Sequence, residues 1–518
     1  MHTIETDVLI IGTGFGAAAP ALRLAEAGMR VTAIEKGPHI DPAKDLQQTQ
    51  DPQYALKYLK SMGGKNLGLT YAEALGGGSP FYEMVSLRAP SHAFEQTDDL
   101  GNRLWPRSVD RASLDPFYDV ADQMLRVEQI APHHVPKSGL VFAMMMKNLG
   151  YTCERARYAV QGCFGCGFCV TGCIYSAKQS LLLNYLPMAE AAGARIETDL
   201  EAEAIDTLDI AEWVQPHGAI ASLPYRYLVR CRRRTGSQEH IQFRAKILIL
   251  GGGTVGTAKL LLRSRESLSR LSPHVGRNIA FNGSVKTAGL LPSSFPDADM
   301  FSGRSHPGVI SYQFLDSHGI SITVGKPMPL QVIASARLRL NGDERQPTFW
   351  GTRHVELMKQ FRHRVIVLVA FGMTPPLGWM SHREGDRFEL HLDGRDRLER
   401  YYKDTKGLLH SIMRRNGCRV IHADFVNKEG VPHNDLHFST AHQVGSCRMS
   451  DSKSTGVIDS MGEVFDYPGM YVTDGAAIPT SLAVNTAHTI LANAERVAVS
   501  IVERHSVKQE QIVASQLR

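Results

Sequence analysis

Apolar residues in this chain fall mostly into short unbroken runs rather than strict alternation. Thr6 to Ile11 (TDVLII) is the pattern of a strand buried on both faces, as in a parallel sheet. Gly12-Thr13-Gly14-Phe15-Gly16-Ala17 follows. Ala18 to Ala27 then predicts a helix, with Leu22 and Leu24 near its buried side, Pro20 in its first turn and Gly28 as its stop. Val31-Thr32-Ala33-Ile34 predicts a second strand ending at Glu35. A third run, Lys246 to Leu250, leads into Gly251-Gly252-Gly253-Thr254-Val255-Gly256 and a helix over 257–263, extending the same sheet. Met470 to Gly475 reads as a strand ending in Asp-Gly, and His488 to Val502 as an amphipathic helix. Residues 284–430 differ, with mixed strands, several prolines, aromatics and few periodic helices, and predict a separate sheet-rich unit. The fold class is therefore α/β, a Rossmann-like nucleotide-binding unit plus a sheet-rich α+β unit.

Composition narrows the class. The 518 residues are 43% hydrophobic and 21% charged, with a net charge of +5, values that exclude intrinsic disorder and suggest two domains or one large composite fold. The longest clean apolar run, Val365 to Phe371, is far short of the ~20 residues of a membrane helix. The start of the chain has no basic region followed by an apolar stretch, so no secretory signal and a cytoplasmic location are expected. The balance of 57 basic against 52 acidic residues is too even to argue for nucleic acid, and the run Arg230 to Arg234 reads as a solvated strand end.

Strand, glycine turn, helix, strand and terminal acid together make the dinucleotide-binding fingerprint. Gly12 permits the tight turn, Gly14 leaves room for a pyrophosphate, and Ala17 is small where a third glycine is usual. The helix start offers free N–H groups to the pyrophosphate, and Glu35 can accept hydrogen bonds from ribose hydroxyls. A second cluster, Leu75-Gly76-Gly77-Gly78-Ser79, suggests backbone passing close to something flat or phosphorylated.

Four of the eight cysteines fall within eleven residues: Cys163-x2-Cys166-x2-Cys169-x3-Cys173. This is the bacterial ferredoxin spacing, and in a reducing compartment it reads as metal or redox chemistry rather than disulfides. No proline follows Cys173, and the chain holds one such run, so the spacing alone does not assign four ligands to one cluster. A zinc site and unligated buried thiols are the alternatives.

These pieces, with Leu104-Trp105-Pro106-Arg107-Ser108, His274-Val275-Gly276-Arg277-Asn278, His442-Gln443-Val444-Gly445-Ser446-Cys447 and Tyr471-Val472-Thr473-Asp474-Gly475, resemble the glucose–methanol–choline (GMC) oxidoreductases, FAD-dependent enzymes that oxidise alcohols. The resemblance runs nearly end to end. Gly172-Cys173-Ile174-Tyr175-Ser176-Ala177-Lys178-Gln179-Ser180 and Asn485-Thr486-Ala487-His488 are similar to the bacterial cholesterol-oxidase-like branch. The resemblance implies a discontinuous FAD-binding domain, 1–283 and 436–518, carrying the cysteine segment 153–180 and enclosing a substrate domain, 284–435. It implies FAD contacts from Gly12, Gly14, Phe15, Gly16, Glu35, Gly77, Gly78, Ser79, Asp474 and Gly475. The stretch Ser79-Pro80-Phe81-Tyr82 lacks the histidine that carries covalent flavin in some relatives, so the FAD is expected to be non-covalent; Tyr82 replaces a usual asparagine.

His442 and Asn485 occupy the positions of the family's catalytic pair. A neutral imidazole suits removal of the hydroxyl proton, and Asn485 can hydrogen-bond the substrate oxygen while hydride passes to the flavin. His488 is expected to be structural, or to share a helical face with Asn485 if the helix starts that early. Cys163, Cys169 and Cys173 also match the spacing by which family sugar dehydrogenases hold an iron–sulfur cluster, with Cys166 extra. The expected cluster is 3Fe–4S or 4Fe–4S, handing electrons to an acceptor protein or a quinone, with peripheral membrane association conceivable. The expected substrate is a hydrophobic secondary alcohol, sterol- or terpenoid-like. The alternatives are a sugar dehydrogenase, an oxidase using O₂, an electron-transfer flavoprotein subunit and an enone isomerase or reductase.

Overall fold

The computed structural model describes residues 2–48, 54–64, 67–208, 218–236, 239–301, 303–304, 308–326, 337–340, 351–424 and 438–505. The first strand runs further back than its apolar core, over His2–Ile11 (β1), with Val8, Leu9 and Ile10 fully buried. It pairs in parallel with Val31–Ile34 (β2) on one side and His240–Leu250 (β3) on the other. The sheet order is Arg195–Glu197, β2, β1, β3, Tyr227–Arg233, Leu200–Thr207, and Met470–Val472 joins β3 in parallel. The registers Ile11↔Ile34, Ile11↔Leu250 and Leu250↔Val472 line up the carboxyl ends of four strands. Gly12, Glu35, Gly251 and Thr473 therefore leave the sheet side by side, at the edge where open α/β sheets bind ligands.

The helix after β1 spans Phe15–Glu26 (α1), starting three residues earlier than expected because Gly14 is its N-cap. Pro20 accordingly sits inside α1 and not in its first turn, which leaves the Gly16 carbonyl without its usual i+4 partner. The helix after β3, Gly253–Arg263 (α2), also begins early. The run Arg230 to Arg234 meets acids across the sheet, with Arg232 on Glu203 at 2.5 Å and Arg233 on Glu197 at 3.1 Å.

A second sheet is antiparallel, in the order Arg337–Leu340, Arg419–Asp424, Val285–Leu290, Val365–Gly372, Ile320–Val324, Val309–Ser311, Glu154–Arg155. The apolar run Val365 to Phe371 lies in an interior strand, as its burial from Val365 to Ala370 requires. The scarcity of helices expected across 284–430 is corrected by Arg395–Arg415 (α3), a 21-residue helix. Its buried stripe, Leu398, Tyr402, Thr405, Leu409 and Ile412, has helical spacing, but dense charges between those positions obscure it in the sequence. The expected boundary at 435/436 lies outside the described residues. Among the described residues no helix is long and apolar enough to cross a membrane.

Candidate active site

The glycines at the strand ends are places of close backbone approach. A methyl group added at Gly12, whose φ is +100, would lie 2.4 Å from the Gly251 carbonyl oxygen. One added at Gly16 would lie 2.3 Å from the Asp474 Cα, and one at Gly77 would lie 2.8 Å from the Gly14 Cα. Residues 12–17, 76–79, 251–253 and 474–475 thus converge, and the second glycine cluster packs directly on the first. Gly78 itself is exposed and would meet nothing within 4 Å, so the loop presents an open face. Ser79 is buried and its Oγ accepts from the Leu181 N–H at 3.1 Å, pinning the loop from behind.

Two buried acids close the turn. Glu35 accepts from the Thr13 N–H at 3.1 Å, the Thr13 hydroxyl at 2.8 Å and the Gly37 N–H at 2.9 Å. Burial pushes its carboxyl up to about 7 despite those bonds. Thr13 Oγ1 also accepts from the Gly76 N–H at 2.9 Å, coupling the acid to the second glycine loop. Thr13 lay inside the fingerprint, but its bridging role has no local sequence signal. Asp474 accepts from Gly253 N–H at 2.7 Å, Thr257 Oγ1 at 2.5 Å and Ala476 N–H at 2.7 Å, so its side chain caps α2. Burial raises Asp474 to about 6. Its backbone is what meets Gly16, and Gly475 abuts Thr254, where a methyl group would lie 2.9 Å from the hydroxyl.

These residues fit a dinucleotide. The α1 N-terminus has no side-chain cap and no acid in its first turn, so its N–H groups and partial positive charge are available to phosphate oxygens. A carboxyl raised by burial gains from hydroxyl donors, which favour its charged form.

The Gly445 N–H donates to the Gly475 carbonyl at 2.9 Å, and Thr254 Oγ1 donates to the Gln443 carbonyl at 3.0 Å. These bonds set His442, which is half-buried, beside the cradle. Its Nε2 lies 3.2 Å from Asn485 Nδ2, and its Nδ1 lies 3.5 Å from Asn282 Nδ2. Phe371 packs on the ring with centroids 5.0 Å apart, and the His442 N–H donates to Thr440 Oγ1 at 2.9 Å. Burial, reinforced by the charge of Lys286, pushes the imidazole down to about 4, so it is neutral at physiological pH. The final helix begins at Ala487 (Ala487–His505, α4), which leaves Asn485 ahead of it, so Asn485 and His488 do not share a helical face. His488 is buried, 2.9 Å from Asp122 Oδ1 and 5.2 Å from the Tyr118 ring, a structural position.

Cys163, Cys166, Cys169 and Cys173 all line one small, partly open cavity, together with Phe164, Tyr175, Lys178 and Arg304. The Gly165 N–H donates to Cys163 Sγ at 3.3 Å. Lys178 is buried; its ammonium donates to the carbonyls of Cys169 at 2.5 Å and Pro80 at 2.8 Å, joining this cavity to the glycine loop. Burial pushes Lys178 down to about 8. Among the described residues no three or more His, Cys, Asp or Glu side chains are arranged to hold a metal ion.

The structure thus holds a dinucleotide-type cradle with a histidine and an asparagine beside it. Family profiles described as GMC oxidoreductase match residues 7–282 and 387–494, and the chain belongs to this family. It is an oxidoreductase acting on alcohols, and members of the family bind FAD. Similar proteins include a cholesterol oxidase of Mycobacterium tuberculosis, 26% identical over 95% of this chain and 90% of that one. A cholesterol oxidase of Acinetobacter baumannii is 24% identical over 98% and 97%, and a long-chain-alcohol oxidase of Arabidopsis thaliana is 24% identical over 97% and 68%. In fold, the chain resembles pyridoxine 4-oxidase from Mesorbium loti, with a TM-score of 0.63 at 17% identity, covering 96% of this chain and all of that one.

Proposed function

We propose that the chain oxidises a hydrophobic secondary alcohol, sterol- or terpenoid-like, to the carbonyl, with His442 and Asn485 holding the reacting oxygen. The observation that carries this reading is their 3.2 Å contact at the mouth of the glycine cradle. Gly14, Phe15 and Gly16 would hold the pyrophosphate through backbone N–H groups, Gly12, whose own N–H donates to the Ile34 carbonyl at 2.7 Å, would contribute the tight turn, and Glu35 would take the ribose hydroxyls. Gly77, Gly78 and Ser79 would lie along the flavin and pyrophosphate. Asp474 and Gly475 line the same floor, Asp474 through its backbone. FAD, held non-covalently, supplies the hydride acceptor. A neutral His442 accepts the hydroxyl proton, and the Asn485 amide orients the alcohol oxygen as charge develops on it. Phe371 against His442 and the similarity to cholesterol and long-chain-alcohol oxidases support an apolar substrate. We read residues 1–283 and 436–518 as the FAD-binding domain and 284–435 as the substrate domain; the two largest sheets support this division, while Glu154–Arg155 joins the second sheet from outside its range and a four-stranded sheet crosses the division by pairing Gly378–Arg383 with Arg277–Ala280.

The convergence of four thiols on one cavity supports an iron–sulfur cluster on Cys163, Cys166, Cys169 and Cys173, with an acceptor protein or quinone beyond it. Such a cluster supplies one-electron transfer. Among the described residues the thiols are not arranged as a ligand set, so they would have to draw together to hold a cluster. Iron and sulfide analysis of anaerobically purified protein decides the matter. Both elements are expected in the wild type and lost in Cys169→Ser, with FAD retained in each; absence of both from the wild type removes the cluster. His442→Ala is expected to lower turnover by ~10²–10⁴-fold with FAD still bound, and near-normal turnover would defeat its assignment.

A further inference from the structure

Lys286 stands on the face of the second sheet that turns toward His442. Its strand, Val285–Leu290, sends Thr287 and Gly289 to the other face. There Thr287 Oγ1 lies 2.9 Å from His410 Nε2 of α3, and a methyl group added at Gly289 would lie 2.9 Å from the Met413 sulfur. Alternation along the strand therefore turns Lys286 and Ala288 away from α3. Across the antiparallel ladder Lys286 is opposite Val369, Ala288 is opposite Val367, and Ser321 is opposite Phe371. These side chains share one face, and the Phe371 ring, packed on His442 with centroids 5.0 Å apart, shows where that face looks. Ser321 Oγ donates to the Ala483 carbonyl at 2.5 Å. Asn282, just ahead of the strand, accepts through Oδ1 from the Leu482 and Ala483 N–H groups at 2.9 and 3.0 Å. The face is thus tied to the segment that leads into Asn485.

This face is covered at both ends but not at Lys286. At one end Val365, Val367 and Leu290 are buried with Leu357 and Phe361 of the helix Thr352–Arg364, and Ala288 packs against them. At the other end Phe371 lies on His442. Between the two, beside buried Val369, Lys286 is exposed. Its charge reaches the His442 imidazole, where it adds to the effect of burial. Among the described residues no carboxylate pairs with Lys286, whereas Lys326 of the same unit pairs with Glu83 at 3.1 Å. An apolar floor, a cation without a partner among the described residues and the reacting histidine therefore border one opening.

We propose that Lys286 is a specificity-determining residue whose ammonium takes a carboxylate on the apolar alcohol that His442 and Asn485 hold. The substrate class is then an apolar hydroxy acid. A singly charged carboxylate costs less to desolvate against Val369 and Phe371 than a doubly charged phosphate, and a charge-assisted hydrogen bond to the ammonium offsets that cost. Lys286 lies opposite Val369, which is ~7 Å along its strand from Phe371, so a spacer of several carbons parts the carboxylate from the carbinol. The inference rests on the proposed placement of the reacting oxygen at His442. It narrows the apolar alcohol to one with an anionic end; a neutral alcohol of the same shape would bind without this contact.

The test compares a bile acid and a series of secondary hydroxy fatty acids, their hydroxyls placed progressively further from the carboxylate, each against its own methyl ester. FAD-loaded protein is mixed with each without oxygen while flavin absorbance is followed. At least one acid is expected to exceed its ester by about tenfold in the second-order rate of flavin reduction, through tighter binding. Lys286→Met is expected to bring that acid down to its ester, and Lys286→Arg to keep most of the preference. Acids that never exceed their esters, or a preference that survives Lys286→Met, overturn the proposal. Binding is read separately, from the flavin absorbance change on adding the matching keto acids and keto esters, which needs no turnover. There too the acids are expected to bind about tenfold more tightly than the esters, and Lys286→Met to remove the difference. Failure of the underlying reading shows differently, as a wild-type flavin that neither acids, esters nor neutral alcohols reduce; keto-acid binding then still decides the role of Lys286.

Discussion

The dinucleotide cradle and the cysteine cavity are both built on glycine, for different reasons. In the cradle, glycine is required because other backbone lies against it: Gly16 on Asp474, Gly12 on Gly251, Gly77 on Gly14. Around the cysteines the reasons are mixed: at Gly162 it is the bend alone, since its φ is +61 and an added methyl group would meet nothing within 4 Å, whereas at Gly167 and Gly172 an added methyl group would lie 2.7 Å from the Gly303 carbonyl oxygen and from the Leu46 side chain. The first is a close-packed wall whose shape is set before any ligand arrives. The second is a loop of mixed bends and contacts whose four cysteines line one small cavity. The difference teaches that glycine content alone does not separate a position of close backbone approach from a position that needs only a bend; what surrounds each absent side chain does.

Gly16→Ala breaks this comparison most severely. A methyl group 2.3 Å from the Asp474 Cα meets backbone that has no free direction to yield. Protein that still folds is expected to be purified with its FAD content reduced more than tenfold, checked by flavin absorbance against protein concentration. A flavin content equal to wild type would show that the cradle is not close-packed.

Acidity is the next test, because the cradle alone buries carboxyls without a cationic partner. The Glu35 pKa rises from 4.5 unfolded to about 7 folded. A raised folded pKa means that its contribution is fully present below 4.5 and is lost as pH rises through about 7. The apo-protein is expected to lose about 3 kcal/mol of stability over that window through Glu35. Asp474 adds loss in the same direction between 3.8 and about 6. Urea unfolding across pH measures it: Glu35→Gln should flatten the upper part of the curve, and FAD binding should do so as well. A steep dependence that persists in Glu35→Gln would place the titrating group elsewhere.

The smallest effect is expected at Gly162→Ala, about 1 kcal/mol from the left-handed backbone alone, read as a small fall in Tm with FAD retained. A loss as large as that at Gly16 would erase the distinction between the two regions.

The same contrast explains what the sequence revealed. The cradle was legible because its chemistry is local: a strand, a turn and a helix within 35 residues, with glycines at fixed offsets. His442 and Asn485 were legible only through family resemblance, since 43 residues separate them and no periodicity links them. Asn282 and Thr13 were not legible, because their roles come from partners brought in by the fold, 160 residues away for Asn282 and 63 for the Thr13–Gly76 bond. The helix α3 was missed although its apolar spacing is regular, because charged residues dominate its composition.

The central claim, oxidation of an apolar alcohol at a cradle-bound flavin beside His442, is tested most directly by anaerobic titration. FAD-loaded protein would be mixed without oxygen with a sterol, a terpenol, a long-chain alcohol and a sugar while flavin absorbance is followed. The flavin is expected to bleach with a hydrophobic secondary alcohol in the wild type and to stay oxidised in His442→Ala. A flavin that no alcohol bleaches, or that bleaches equally fast in His442→Ala, would contradict the account.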